Sequence, residues 1–290
     1  MDALDQVAGW PVASAAVGVV GPRTADASHD TTDSVGDVNR PYPWASVTKP
    51  VTALAVLVAV EEGTMDLDQP AGPPGSTVRH LLAHASGLGP EGRTALSAPG
   101  TRRIYSNGGF EWLAEVLGAR SGMPFPAYLV EAVLGPLGMA GTVLPEEASA
   151  ASGLTGPLRD LLRLAGELLA PTLISATTHA LATSVAFPGL AGVLPGFGRF
   201  DHCDWGLGVE IRGTKHPHWT GDDNAPETFG HFGQSGSFLW VDPVAGVACA
   251  GLADRSFGPW AAKAWPRLAD AVLADRARSA AGPGPEVGPV

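Results

Sequence analysis

The sequence predicts an α+β fold, an antiparallel sheet flanked by helices and carrying an inserted all-helical part. Three observations predict it. β-prone runs lie near the start of the chain and return after residue 206, helical patterns fill the middle, and one more helical stretch closes the chain. With 290 residues, 45% hydrophobic and 16% charged, the chain can bury a large core and is not a disordered solubiliser. It reads as a single domain over residues 1–278. The sheet-bearing part covers roughly 1–60 and 186–278, the helical part roughly 61–185, and residues 279–290, rich in Ala, Gly and Pro, read as a disordered tail.

Taken in order, residues 13–20 form a β-prone run that ends at the turn signal Gly21-Pro22, and the polar stretch 24–43 has room for one or two strands. From Ser46 the chain is apolar nearly all round, at Val51, Leu54, Ala55, Leu57, Val58 and Val60, until Glu61-Glu62-Gly63, which is the pattern of a buried helix. Residues 81–85, 110–120 and 127–134 read as further helices. Pro157 suits the first turn of a helix that runs to Leu169, where Ala170-Pro171 stops it. Strands are expected at 206–211, 237–241 and 246–250, the last two joined as an antiparallel pair by the turn Asp242-Pro243-Val244-Ala245-Gly246. A helix over 260–277 follows, and there is no internal repeat.

Composition excludes several functions. A net charge of -11 is wrong for holding phosphates, so nucleic acid is not a partner, and the same charge opposes anionic membrane surfaces. The longest apolar run, 53–60, is far short of the ~20 residues that a membrane span requires. Cys203 and Cys249 are too few and too distant for a disulfide framework or a CxxC metal site, and are expected as free thiols. Met1-Asp2-Ala3-Leu4-Asp5 has no basic segment leading an apolar one, so the chain reads as cytoplasmic. Small-molecule substrates remain, and no cofactor or metal is implied.

Three short stretches carry chemistry. Ser46-Val47-Thr48-Lys49 stands where a polar loop enters the most apolar helix. Residues three apart share a helix face, so the lysine amine can reach the serine hydroxyl, and burial lowers a lysine's pKa until a neutral amine exists to take a proton. The helix amino terminus also favours an oxyanion. Alone, the pattern equally describes a capping serine with a solvated lysine. Tyr105-Ser106-Asn107 offers a proton shuttle and an amide donor, against the plainer reading of a packed tyrosine and a helix cap. Gly230-His231-Phe232-Gly233-Gln234-Ser235-Gly236 could bring backbone N–H groups close to a ligand beside His231, able to bind a carboxylate or move a proton; the plainer reading is a glycine-rich turn before the next strand.

In this order the three stretches resemble the SxxK, YxN and (K/H)xG signature of class C β-lactamases, penicillin-binding peptidases and related esterases, a sibling of the SxxK, SDN and KTG set. The flanks Trp44-Ala45 and Val78-Arg79-His80-Leu81-Leu82-Ala83-His84-Ala85-Ser86-Gly87-Leu88 are similar too, and the likeness covers roughly residues 10–275. It implies a β-lactamase/transpeptidase-like catalytic domain. It also implies Ser46 as acylated nucleophile, Lys49 as its proton acceptor or activator, and Tyr105 as the shuttle to leaving group and acceptor. Asn107 would orient the acyl group, His231 and Gly233 would wall the site, and the N–H groups of Ser46 and Gln234 would form the oxyanion hole.

His231 stands where a dedicated β-lactamase has lysine, and Phe232 where it has a small hydroxyl residue, which favours an ester or amide over a β-lactam. Glu167 reads as a surface carboxylate. His80 and His84, at i and i+4, could share a helix face but lack a third ligand and read as structural, while 215–224, with Lys215, His216 and His218, reads as a solvated loop at the pocket rim. The expected function is a serine acyl-enzyme hydrolase. Two alternatives stand: a transacylase that passes the acyl group to an amine or alcohol in small-molecule (secondary-metabolite) biosynthesis, and a catalytically silent ligand-binding homologue.

Overall fold

The computed structural model describes residues 2–21 and 31–280. Six antiparallel strands form the main sheet in the order β2-β1-β10-β9-β8-β7. They are β1 (Ala15–Val20), β2 (Thr31–Val35), β7 (Glu210–Ile211), β8 (Phe229–Gly233), β9 (Ser237–Asp242) and β10 (Val247–Ala253). Both ends of the chain thus meet in one sheet, β1 pairing with β10 so that Ala15 faces Ala253. Side chains alternate between two cores, as a period of two requires. Leu239 and Val241 face the larger core, and Phe238 and Trp240 face the smaller.

On the larger core lie α1 (Thr48–Glu61), α3 (Asn107–Ser121) and α5 (Leu158–Leu169). The amino-terminal 3-10 segment Asp2–Gly9 and the closing helix α7 (Pro259–Ala280) cover the other face, where Leu4, Val7, Trp265 and Leu268 pack. The remaining helices are α2 (Val78–Leu82), α4 (Phe125–Leu129) and α6 (Ala176–Ala182). Two small two-stranded sheets, β3 (Pro41–Pro43) with the distant β4 (Thr155–Pro157) and the hairpin of β5 (Gly192–Leu194) with β6 (Gly198–Phe200), and a π-helical turn, Val130–Leu134, lie outside the main sheet.

Several expectations change. The run 206–211 contributes only Glu210 and Ile211 to the sheet, because Gly208 sits at φ 89 where the chain turns against Ala53. The glycine-rich stretch is not a turn: 229–233 is the strand β8, paired with β9, and only Gln234, Ser235 and Gly236 make the turn. The helix expected over 81–85 is displaced to Val78–Leu82, so His84 lies beyond it at φ 53 and does not share a helix face with His80. Pro157 ends β4 and caps α5 rather than occupying its first turn. Helix α7 continues through Ser279 and Ala280, and the rest of the expected tail, 281–290, lies outside the described residues.

Candidate active site

Ser46 sits in a tight turn, Ala45–Val47, that runs straight into α1. Ala45 is at φ 44, a left-handed conformation that disfavours an L residue, so packing on either side must hold the turn. That packing is present. Trp44 is fully buried, its N–H groups donating to the carbonyls of Leu154 and Gly156. Strand β8 presses on the turn from the sheet side, where a Cβ on Gly233 would stand 2.4 Å from the Trp44 carbonyl oxygen, so only glycine fits. Pro50 falls in the first turn of α1, where its missing N–H costs no helical bond.

Lys49 is fully buried beside Ser46. Its Nζ lies 2.7 Å from Asn107 Oδ1, 3.0 Å from the Ala151 carbonyl and 3.3 Å from Ser46 Oγ. Burial lowers its pKa to about 7, with Glu91 and Glu111 pulling back upward. A neutral amine has two N–H donors and one lone pair. The two shorter contacts use the donors, which leaves the lone pair to face the Ser46 hydroxyl.

Tyr105 donates to Ser46 Oγ at 2.7 Å from the other side. Burial, partly offset by that bond, raises its phenol above the ordinary value, so at neutral pH it is a proton donor and not a phenolate. The Lys49 amine lies 4.6 Å from its ring centre, while the neighbouring Arg103 turns away, its guanidinium donating to the carbonyls of Cys203, Ala83, Ala186 and Phe187. Asn107 is free to bind Lys49 because Ser106 caps α3, accepting from the Gly109 N–H. The other end of the Asn107 amide donates to Glu91 at 2.6 Å.

Ser46, Tyr105, Asn107, His231 and Gln234 line one cavity of about 190 Å³, with Trp205, Phe232 and Glu210 also in its wall. His231 is buried, and burial together with Lys49 lowers its pKa to about 3. The neutral ring donates Nδ1–H to the Phe232 carbonyl at 2.7 Å, leaving Nε2 as a bare acceptor without a partner among the described residues. Such a ring suits a hydrogen-bond donor better than a carboxylate.

Two dismissed stretches carry buried charged side chains. Glu167 is not on the surface: its carboxylate closes the end of α5 by accepting the N–H groups of Thr172 and Leu173. The segment 215–224 is solvated only in part, at His216, Pro217, Asp222 and Asp223. Lys215 and His218 are buried against Glu210, at 2.8 Å and 2.9 Å, and Trp219 Nε1 adds a bond at 3.0 Å. Sequence reasoning missed Glu210 and Trp205, and read His84 as structural, which is how it packs here. A glutamate inside a β-prone run, five residues before a lysine, was the available sign of a buried pair. Trp205 and His84 pack edge to face 4.5 Å apart under Tyr105, and no local pattern marks that.

Known proteins share this architecture. The family model described as Beta-lactamase matches residues 2–274. A beta-lactamase from Mycobacterium bovis is 54% identical with a TM-score of 0.90, over 94% of this chain and 99% of that one. EstCE1, described as a hydrolase with promiscuous acyltransferase activity, shares the fold at a TM-score of 0.72 and 18% identity, over 93% of this chain and 96% of that one. A penicillin-binding protein of Bacillus subtilis (strain 168) is 28% identical over 137 residues, 36% of this chain and only 30% of that longer protein.

Proposed function

The chain belongs to the beta-lactamase family, and from that premise we propose that it is a serine hydrolase cleaving a small-molecule ester or amide through an acyl-Ser46 intermediate. The observation that carries this reading is the buried Lys49, its N–H groups committed to Asn107 and Ala151 and its remaining position facing Ser46 Oγ. In acylation, Ser46 Oγ bonds the acyl carbon and its proton moves to Lys49. The bond to the leaving oxygen or nitrogen breaks, and that atom is protonated through Tyr105. Water then adds to the acyl carbon, Ser46 regains its proton, and the acid departs. The N–H groups of Ser46 and Gln234 hold the oxyanion, each donor being worth about 3 kcal/mol in such sites.

The neutral, acceptor-only His231 favours an uncharged ester or amide over a β-lactam, whose carboxylate lies near the bond that is cut. The Mycobacterium bovis protein is described as a beta-lactamase, so a chromogenic cephalosporin belongs in the substrate panel. EstCE1's description supports the second reading, transfer of the acyl group to an amine or alcohol, which uses the same residues. The two buried free thiols, Cys203 and Cys249, suit a reducing, cytoplasmic setting.

Intact-mass spectrometry after exposure to a fluorophosphonate or an active ester tests the reading. One adduct on the wild type and none on Ser46→Ala is expected. No adduct, or equal labelling of the variant, leaves a silent binding protein. Amines added to the acylated enzyme then separate transfer from hydrolysis.

A further inference from the structure

A second cavity, of about 400 Å³, adjoins the first and shares Tyr105 and Pro195 with it. One wall is the chain from Arg102 to Tyr105 and the other is the β5–β6 hairpin, joined by the Arg103 N–H to the Ala191 carbonyl at 2.8 Å. The volume falls in the range of roughly 300–1,000 Å³ usual for small-ligand sites. Pro90, Ile104, Leu96 and Val193 make it largely apolar, and the last two are more than half exposed, 55% and 56%, as lips at its mouth.

The charges around this cavity are one-sided. In a chain of net charge -11, its charged lining side chains are Arg102, Arg103 and Arg199, with no carboxylate. Arg103 is spent on four backbone carbonyls. Arg102 and Arg199 are exposed and pair with no carboxylate among the described residues, Arg102 making one bond to the Leu96 carbonyl at 3.1 Å. An apolar trough that starts at the catalytic tyrosine and carries two unpaired guanidiniums fits a chain that is greasy along its length and negative at its end.

Resting on the proposed acyl-Ser46 chemistry, we propose that this cavity is the acyl-chain site and that it selects an aliphatic acyl group ending in an anion, as in the half-ester of a dicarboxylic acid. This is compatible with the neutral His231, because the negative charge lies at the far end of the acyl chain and not beside the bond that is cut.

The test compares kcat/KM for the p-nitrophenyl half-ester of octanedioic acid with that for p-nitrophenyl octanoate, of equal acyl length. Two solvent-facing charge pairs of ordinary strength give a preference of about five- to tenfold for the anionic ester, shrinking as ionic strength rises. In the double variant Arg102→Ala with Arg199→Ala the ratio falls to one or below. Equal or slower turnover of the anionic ester by the wild type, or a preference that survives in the double variant, overturns the proposal. p-Nitrophenyl acetate, too short to occupy the cavity, is run on the wild type alongside. If acetate is not turned over and Ser46 is not labelled, it is the acyl-enzyme reading that has failed.

Discussion

Two lysines are buried among the described residues, and the regions that hold them treat the charge in opposite ways. Lys49 meets only a hydroxyl, an amide oxygen and a carbonyl, and burial brings its pKa down to about 7. Lys215, as deeply buried, ends 2.8 Å from the carboxylate of Glu210, which also receives His218 and Trp219. Burial alone would raise the Glu210 carboxyl, but His218 and Lys215 outweigh it and hold the pKa down to about 2. Low dielectric penalises any lone charge. Where cations are supplied, the buried carboxylate stays ionised and holds structure. Where only neutral acceptors are supplied, the amine can give up its proton, which is what activation of a serine demands.

The largest expected effect comes from removing the first lysine. Lys49→Ala should slow acylation by about 10³-fold or more with the fold intact, read by burst kinetics and circular dichroism. Wild-type acylation in a folded variant would make Lys49 a structural lysine like Lys215 and erase the contrast.

Lys215→Met should do the reverse. It takes the lysine from the buried Glu210 carboxylate and leaves only His218 and Trp219 there, so urea unfolding should show a loss of up to about 3–5 kcal/mol, with kcat changed far less than by Lys49→Ala. Restoring part of that loss with Glu210→Gln in the same chain would assign the penalty to the carboxylate that lost its lysine. A lowered carboxyl pKa also fixes a sign. The stability that Glu210 contributes is complete above its ordinary 4.5 and is lost as pH falls from there through about 2, so Glu210→Gln should flatten acid unfolding in that window.

The pH profile of the reaction is the next, smaller effect. Only the neutral Lys49 accepts a proton, so kcat/KM for a neutral ester should rise with pH through a midpoint of about 7. Glu91 holds that pKa up, so Glu91→Gln should move the midpoint down. A midpoint that does not move would remove Glu91 from the electrostatics of the site.

The smallest effect concerns the backbone. Ala45→Gly relieves the left-handed residue before Ser46 and should stabilise the protein by about 1 kcal/mol in thermal unfolding, at some cost to kcat. A gain in stability with no change in kcat would show that the turn is held by Trp44 and β8 and not by residue 45 itself.

By itself the sequence determined what is local. The apolar run after Ser46 forms the buried helix α1, the turn after Asp242 joins β9 to β10, and Ser46 and Lys49, three residues apart, meet at the start of that helix, whereas the arrival of Tyr105 at Ser46 was implied only by the family resemblance. These follow from periodicity and turn chemistry over a few residues. What only the tertiary structure decided is which neighbour each charge has. Lys49 finds its neutral acceptors at Asn107 and Ala151, 58 and 102 residues away, and Glu210 carries no local mark of the site wall it joins. His231 became a neutral acceptor, and Glu167, Lys215 and His218 turned inward, for the same reason. Protonation and burial depend on the dielectric and the partners that distant segments bring, and a short window of sequence contains neither.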